Sequence, residues 1–138
     1  MERTLVLVKP DAVRRGLIGE VIGRFESRTL QIKALKMLRP TVELVERHYE
    51  AHRGKDFFDG VVRFMSSGPV VALVVAGDNA VALVRQMMGG LDPLDAAPGT
   101  IRGDLTLSTR ENLVHGSDCA ENAESEIAIW FEPEEILE

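Results

Sequence analysis

Val70-Val71-Ala72-Leu73-Val74-Val75-Ala76 is apolar at every position and is preceded by the sharp break Ser67-Gly68-Pro69. Such a run, rich in β-branched residues and bounded by turn residues, predicts a central buried strand. Gly77-Asp78-Asn79 then caps a helix from about Ala80 to Met88, with Val81, Val84 and Met88 on its buried stripe. Leu5-Val6-Leu7-Val8 repeats the strand signature near the start and ends at Lys9-Pro10-Asp11, where Pro10 stops the ladder. A third strand spans Leu30 to Leu38, with Leu30, Ile32 and Ala34 alternating with Gln31 and Lys33.

Between these strands lie helical patterns. Leu17, Ile18, Val21, Ile22 and Phe25 mark one face of a helix over Gly16–Arg28. Pro40-Thr41 opens a second helix, and Phe57-Phe58 a short third one through Met65. Two adjacent aromatics cannot both face one core, so one of the pair is expected at a cleft mouth. Gly89 to Glu111 has little periodicity, and a loop of that length in a compact domain is usually functional. Within it, Arg102 stands between glycine turns and is expected to reach outward. A last long helix runs from Glu121 to Phe131 with Ala123, Ile127, Trp130 and Phe131 inward, and Pro133 starts a final short helix. The element order predicts an α+β domain over residues 1–138, a four-stranded antiparallel sheet with helices packed on it.

The length of 138 residues suits one domain with a real core, and 45% hydrophobic with 28% charged residues excludes a disordered chain. No apolar run approaches the roughly 20 residues of a membrane span, and the N-terminal apolar run is too short for a signal peptide. The single Cys119 excludes an internal disulfide and fits a reducing compartment, so the cytoplasm is expected. A net charge of −6 disfavours a general grip on nucleic acid. An anionic ligand therefore needs a local cluster of lysine and arginine.

The segment Asn112-Leu113-Val114-His115-Gly116-Ser117-Asp118 carries the chemistry. Leu113 and Val114 read as a strand end, Gly116 permits a turn or a close approach, and Asp118 with Glu121 reads as a capping box. That places His115 at a strand-to-helix corner with a ring nitrogen free, where imidazole can act as a nucleophile. A histidine satisfied inside an ordinary loop is the competing description, and the heptapeptide alone does not choose between them. Glu126 lies eleven residues after His115, on a helix that could fold back to it. His48 and His52 have a spacing that can bind metal, but with no third ligand evident they read as packing or surface residues. There is no G-x-x-x-x-G-K-[ST] loop, G-x-G-x-x-G, CxxC or H-E-x-x-H. A strand-end lysine, loop arginines and a presented histidine suit phosphoryl transfer through a phosphohistidine.

The stretches Val8-Lys9-Pro10-Asp11, His48-Tyr49, Phe57-Phe58, Ser67-Gly68-Pro69-Val70-Val71, Pro98-Gly99-Thr100-Ile101-Arg102-Gly103-Asp104 and Asn112 to Asp118 resemble nucleoside diphosphate kinases. The match runs in order over nearly the whole chain. It implies a ferredoxin-like βαββαβ fold and a ping-pong transfer of the terminal phosphate of ATP or another nucleoside triphosphate to a nucleoside diphosphate. By the same resemblance His115 is the phosphorylated nucleophile, and Glu126 and Ser117 orient it. Arg85 and Arg102 match phosphate-binding arginines, and Lys9 and Asn112 match residues near the ribose hydroxyls and phosphates. Phe57 matches the aromatic that stacks on the base, and Tyr49 a tyrosine close to the histidine. Mg2+ arrives with the nucleotide phosphates, so no protein metal cage is expected. A homo-oligomer, hexamer or tetramer built from dimers, is implied, with the Gly89–Glu111 loop at subunit contacts.

Four positions depart from the family pattern. Leu91 replaces a usual threonine at the nucleotide-binding site, Thr29 and Ala12 replace glycines, and Cys119 replaces a small polar residue. Leu91 is the feature that favours a rival function, a catalytically weak nucleotide-binding or scaffold protein on the same fold. The base preference is not legible, since stacking carries little base information.

Overall fold

The computed structural model describes residues 1–138. The elements in chain order are β1 (Glu2–Val8), α1 (Pro10–Arg14), α2 (Ile18–Ser27), β2 (Gln31–Leu38), α3 (Val42–His48), α4 (Phe58–Met65), β3 (Val70–Gly77), α5 (Ala80–Met88), α6 (Ile101–Leu105), β4 (Val114–Gly116) and α7 (Ala120–Trp130), with short 3-10 turns at Glu50–His52 and Pro133–Glu135. The four strands form one sheet in the order β2-β3-β1-β4, and every neighbouring pair is antiparallel. This is the ferredoxin-like arrangement, with α3 and α4 inserted between β2 and β3.

Both faces of the sheet are covered, which explains why Leu5–Val8 of β1 and Val70–Ala76 of β3 are unbroken apolar runs. Val6, Val8, Val71, Leu73 and Val75 point to one core, closed by α2 and α5. Leu5, Leu7, Val70, Ala72 and Val74 point to the other, closed by α3, α4 and α7. On β2 the alternation is only partial, because this strand lies at the sheet edge and leaves Leu35 and Met37 exposed.

Several local expectations change. Pro10 and Asp11 begin α1 rather than a turn, with Pro10 in the first turn where its missing N–H is harmless. The Gly89–Glu111 stretch contains α6, too short to show a period in sequence, with Thr100 Oγ1 capping it by accepting from Gly103 N at 2.9 Å. Asn79 sits before α5 at φ 58 but its side chain caps nothing. The acceptor comes from elsewhere: Glu2 Oε1 accepts from Val81 N at 2.8 Å. Asp118 does not cap α7 either. Cys119 is the N-cap residue, its sulfur accepting from Asn122 N, while Asp118 accepts from the Asn122 side chain.

Candidate active site

The register of β4 against β1 decides which way His115 points. Val8 pairs with Val114, Leu7 with His115 and Val6 with Gly116. Directly paired residues share a face of the sheet, so His115 takes the Leu7 face, toward α3 and α7. Gly116 takes the opposite face, where a Cβ would meet Met88 Sδ at 2.5 Å. Gly116 thus serves the close approach of α5 to the strand.

Leu113 is not a strand residue. Its φ is 76, and Val114 N donates across it to Asn112 O at 2.9 Å. This is a γ-turn of the strained hand at a buried leucine. The N-terminal segment holds it from both sides: Leu113 N donates to Asp11 Oδ2 at 3.1 Å, and Lys9 N donates to Leu113 O at 2.8 Å. Lys9 Nζ also donates to Asn112 Oδ1 at 2.8 Å. The turn delivers the chain to His115 two residues later.

His115 Nε2 lies 2.8 Å from Glu126 Oε1, and Ser117 Oγ donates to the same oxygen at 2.7 Å. Burial pushes the Glu126 carboxyl up, but the hydrogen bonds from His115 and Ser117 and the charges nearby hold it below its ordinary value. An ionised carboxylate only accepts, so the Nε2 proton is on the imidazole and the Nδ1 lone pair is free. His115 borders an open pocket together with His48, Tyr49, Arg85, Asp118 and Glu126. Arg85 Nη1 donates to Gly116 O at 3.2 Å and keeps its other donors available. Burial, then Glu126, raises the Tyr49 phenol, which stays protonated as a donor.

Arg102 differs from the expectation. It does not reach outward; it is 7% exposed. Its Nε, Nη1 and Nη2 donate to the carbonyls of Asn112, Gly89 and Val114 at 3.1, 2.9 and 2.9 Å. The buried carbonyls of three converging segments draw the guanidinium in. Burial, then the Arg85 charge, lowers it to about 10, and burial with the Arg102 charge lowers Lys9 to about 8. Lys9, Arg102 and Arg85 thus form a cationic flank beside the histidine, with Asn112 accepting from the Lys9 ammonium.

Phe57 is 50% exposed whereas Phe58 is buried at 5%, so one aromatic of the pair is left at the surface. The Phe57 ring lies 5.3 Å from that of His52, which borders the same pocket. Leu91 is 53% exposed and is not among the residues that border this pocket. His52 does not pair with His48 on a metal. His48 instead joins His115 and Glu126, whose ligand atoms lie within 4.8 Å of one another. That third partner was invisible in sequence, because α3, β4 and α7 are far apart along the chain.

The comparisons with known proteins point one way. The sequence model of the family described as "Nucleoside diphosphate kinase" matches residues 2–136. A protein of that name from Thermus thermophilus is 57% identical over 137 residues, 99% of this chain and 100% of the relative. The solved structure of a halophilic nucleoside diphosphate kinase from Halobacterium salinarum in complex with CDP is 48% identical with a TM-score of 0.95, covering 99% of this chain and 91% of that one. A nucleoside diphosphate kinase family protein from Babesia bovis superimposes with a TM-score of 0.97 at 43% identity, covering 100% and 93% of the two chains.

Proposed function

The chain belongs to the nucleoside diphosphate kinase family, and from that premise we propose that His115 carries the phosphate between nucleotides. The protein is a phosphotransferase acting on nucleotides. The observation that supports His115 as the carrier is the Glu126–His115 contact, which keeps the ring proton on Nε2 and leaves the Nδ1 lone pair free on a ring that borders the pocket. In the first half-reaction the Nδ1 lone pair attacks the terminal phosphorus of a nucleoside triphosphate. An N–P bond forms, the bridging P–O bond breaks, and its electron pair leaves with the diphosphate. The ring becomes cationic, and Glu126 stabilises that charge through the Nε2 proton. A second diphosphate then takes the phosphoryl group by the reverse step.

Arg85, the two unused N–H groups of Arg102 and the ammonium of Lys9 hold the phosphate oxygens, charge placed before the transition state needs it. Asn112 fixes the Lys9 ammonium and stands near the ribose hydroxyls with it. The Tyr49 hydroxyl donates into the site, Ser117 keeps Glu126 aligned, and the exposed face of Phe57 stacks the base. Leu91 offers the phosphates no donor. Mg2+ fits as an ion held by the nucleotide: it prefers oxygen ligands, and the two carboxylates on the pocket are both engaged, Glu126 Oε1 with His115 and Ser117 and exposed Asp118 with the Asn122 side chain. When bound it neutralises phosphate charge.

No helix is long and apolar enough to cross a membrane. The lone cysteine supports a cytoplasmic location, and exposed Leu94 and Leu107 support subunit contacts through the Gly89–Glu111 segment of a hexamer or a tetramer of dimers. The test is to mix the protein with γ-labelled ATP and Mg2+, then add unlabelled GDP. Acid-labile label should appear on the protein, move to GDP, and vanish in His115→Ala. ATP binding without label would support the rival nucleotide-binding role and direct attention to Leu91.

A further inference from the structure

His48 takes no part in the exchange above, yet its ring packs against His115 and is itself held by a hydrogen bond. Trp130 Nε1 donates to His48 Nδ1 at 3.0 Å. An indole N–H only donates, so Nδ1 of His48 must offer its lone pair, and the neutral ring carries its proton on Nε2. Trp130 is 3% exposed, so its N–H has no ready alternative in water. The His48 ring then packs edge-to-face with His115, centroids 4.5 Å apart and planes at 80°.

Glu126 grips His115 at Nε2 alone. Rotation about the Cβ–Cγ bond swings Nδ1 through a wider arc than Nε2, so this single contact leaves Nδ1 loosely aimed. That torsion is broad in histidine. A second contact, away from Nε2, is needed to fix it. We propose that His48 is a positioning residue: its ring, locked in the Nε2–H tautomer by Trp130, sets the rotation of the His115 ring and so the direction of Nδ1.

Burial first, and then the adjacent His115, holds His48 down to about 3. The ring stays neutral and does not repel His115 when phosphorylation makes the latter cationic. His48, His115 and Glu126 are also close enough to hold a divalent metal. A metal would need the lone pair of His48, but Trp130 occupies Nδ1 and the proton occupies Nε2. The ring as held is a donor and a packing surface, not a ligand.

The inference rests on His115 being the phosphate carrier, so the experiment separates the two. In 15N-labelled protein, long-range imidazole spectra should show His48 as the Nε2–H tautomer, with Trp130→Phe giving a mixture. In single-turnover phosphorylation from ATP, His48→Ala should be slower by on the order of 10- to 100-fold while the nucleotide KM stays within about threefold. His48→Phe, which restores a ring edge, should recover most of that rate, with melting curves confirming that all variants fold. An Nδ1–H tautomer in the wild-type protein, a wild-type rate in His48→Ala, or His48→Phe no faster than alanine would each overturn the proposal. So would zinc held by the wild-type protein and lost in His48→Ala. Absence of label on the wild-type protein would overturn the phosphohistidine reading; full label with an unimpaired His48→Ala would overturn this one alone.

Discussion

Arg102→Lys distinguishes a phosphate ligand from a structural clamp. The guanidinium joins Gly89 at the end of α5, Asn112 before the γ-turn and Val114 in β4. A lysine ammonium presents its donors from a single atom on a shorter reach, so it can keep one of these three carbonyls and must release the other two. A hydrogen bond from a charged donor contributes about 1.5–3 kcal/mol. Two such losses come to about 3–6 kcal/mol, a large part of the total stability of an ordinary domain, roughly 5–15 kcal/mol. At about 3 °C per kcal/mol for a chain of this size, the melting temperature should fall by about 10 °C or more. The assay is thermal and urea unfolding without nucleotide, which no phosphate contact can influence. A change below about 0.5 kcal/mol, with only the nucleotide KM affected, would refute the clamp and leave Arg102 as a phosphate ligand alone.

Thr29 sits at φ 66 after α2, where an L-residue pays roughly 1–2 kcal/mol and glycine nothing, while glycine loses about 0.5–1 kcal/mol through unfolded-chain entropy. Thr29→Gly should therefore raise the melting temperature by about 2–4 °C, and an unchanged or lower value counts against the strain argument. Leu91→Thr should lower the nucleotide KM by about tenfold or more if its hydroxyl meets a phosphate; equal constants would show that the half-exposed Leu91 stands outside the phosphate path. Lys9, lowered to about 8 against an ordinary value near 10.5, is charged below that pH and neutral above it. Between the two values the unfolded chain binds more protons, so apoprotein stability rises with pH there while nucleotide affinity falls. Lys9→Arg should hold its affinity through pH 8, and a flat profile in the wild-type protein would remove Lys9 from the phosphate site.

The central strands were legible from the apolar runs Leu5–Val8 and Val70–Ala76, which burial on both faces requires, and the edge strand β2 because it half alternates. Helices of eight residues or more were legible from their stripes. What escaped has a common physical cause. Leu113 looks like any strand leucine, and nothing local marks it as the pivot of a γ-turn; its partners are Asp11 and the Lys9 backbone, at the other end of the chain. Arg102 looked outward-facing because backbone carbonyls leave no trace in side-chain pattern. His48 and Trp130 are 82 residues apart, so their bond has no sequence signature. The identities of the site residues came from motif resemblance; the geometry adds what each one touches.

That geometry also explains why two distant motifs must occur together. Lys9-Pro10-Asp11 follows directly on the central strand β1, and Asn112-Leu113-Val114-His115 enters the strand paired beside it. Pro10 starts α1 at once, which places the Asp11 carboxylate against the Leu113 N–H. Without that acceptor a buried N–H at a strained φ would be unpaired, and the chain would relax toward ordinary strand geometry. Because strand side chains alternate faces, a change of one residue in register would turn His115 from the Glu126 side to the α5 side. Lys9 thus both holds the strained turn at Leu113 through its backbone and supplies charge to the site through its ammonium, so the two motifs together set where Nδ1 stands.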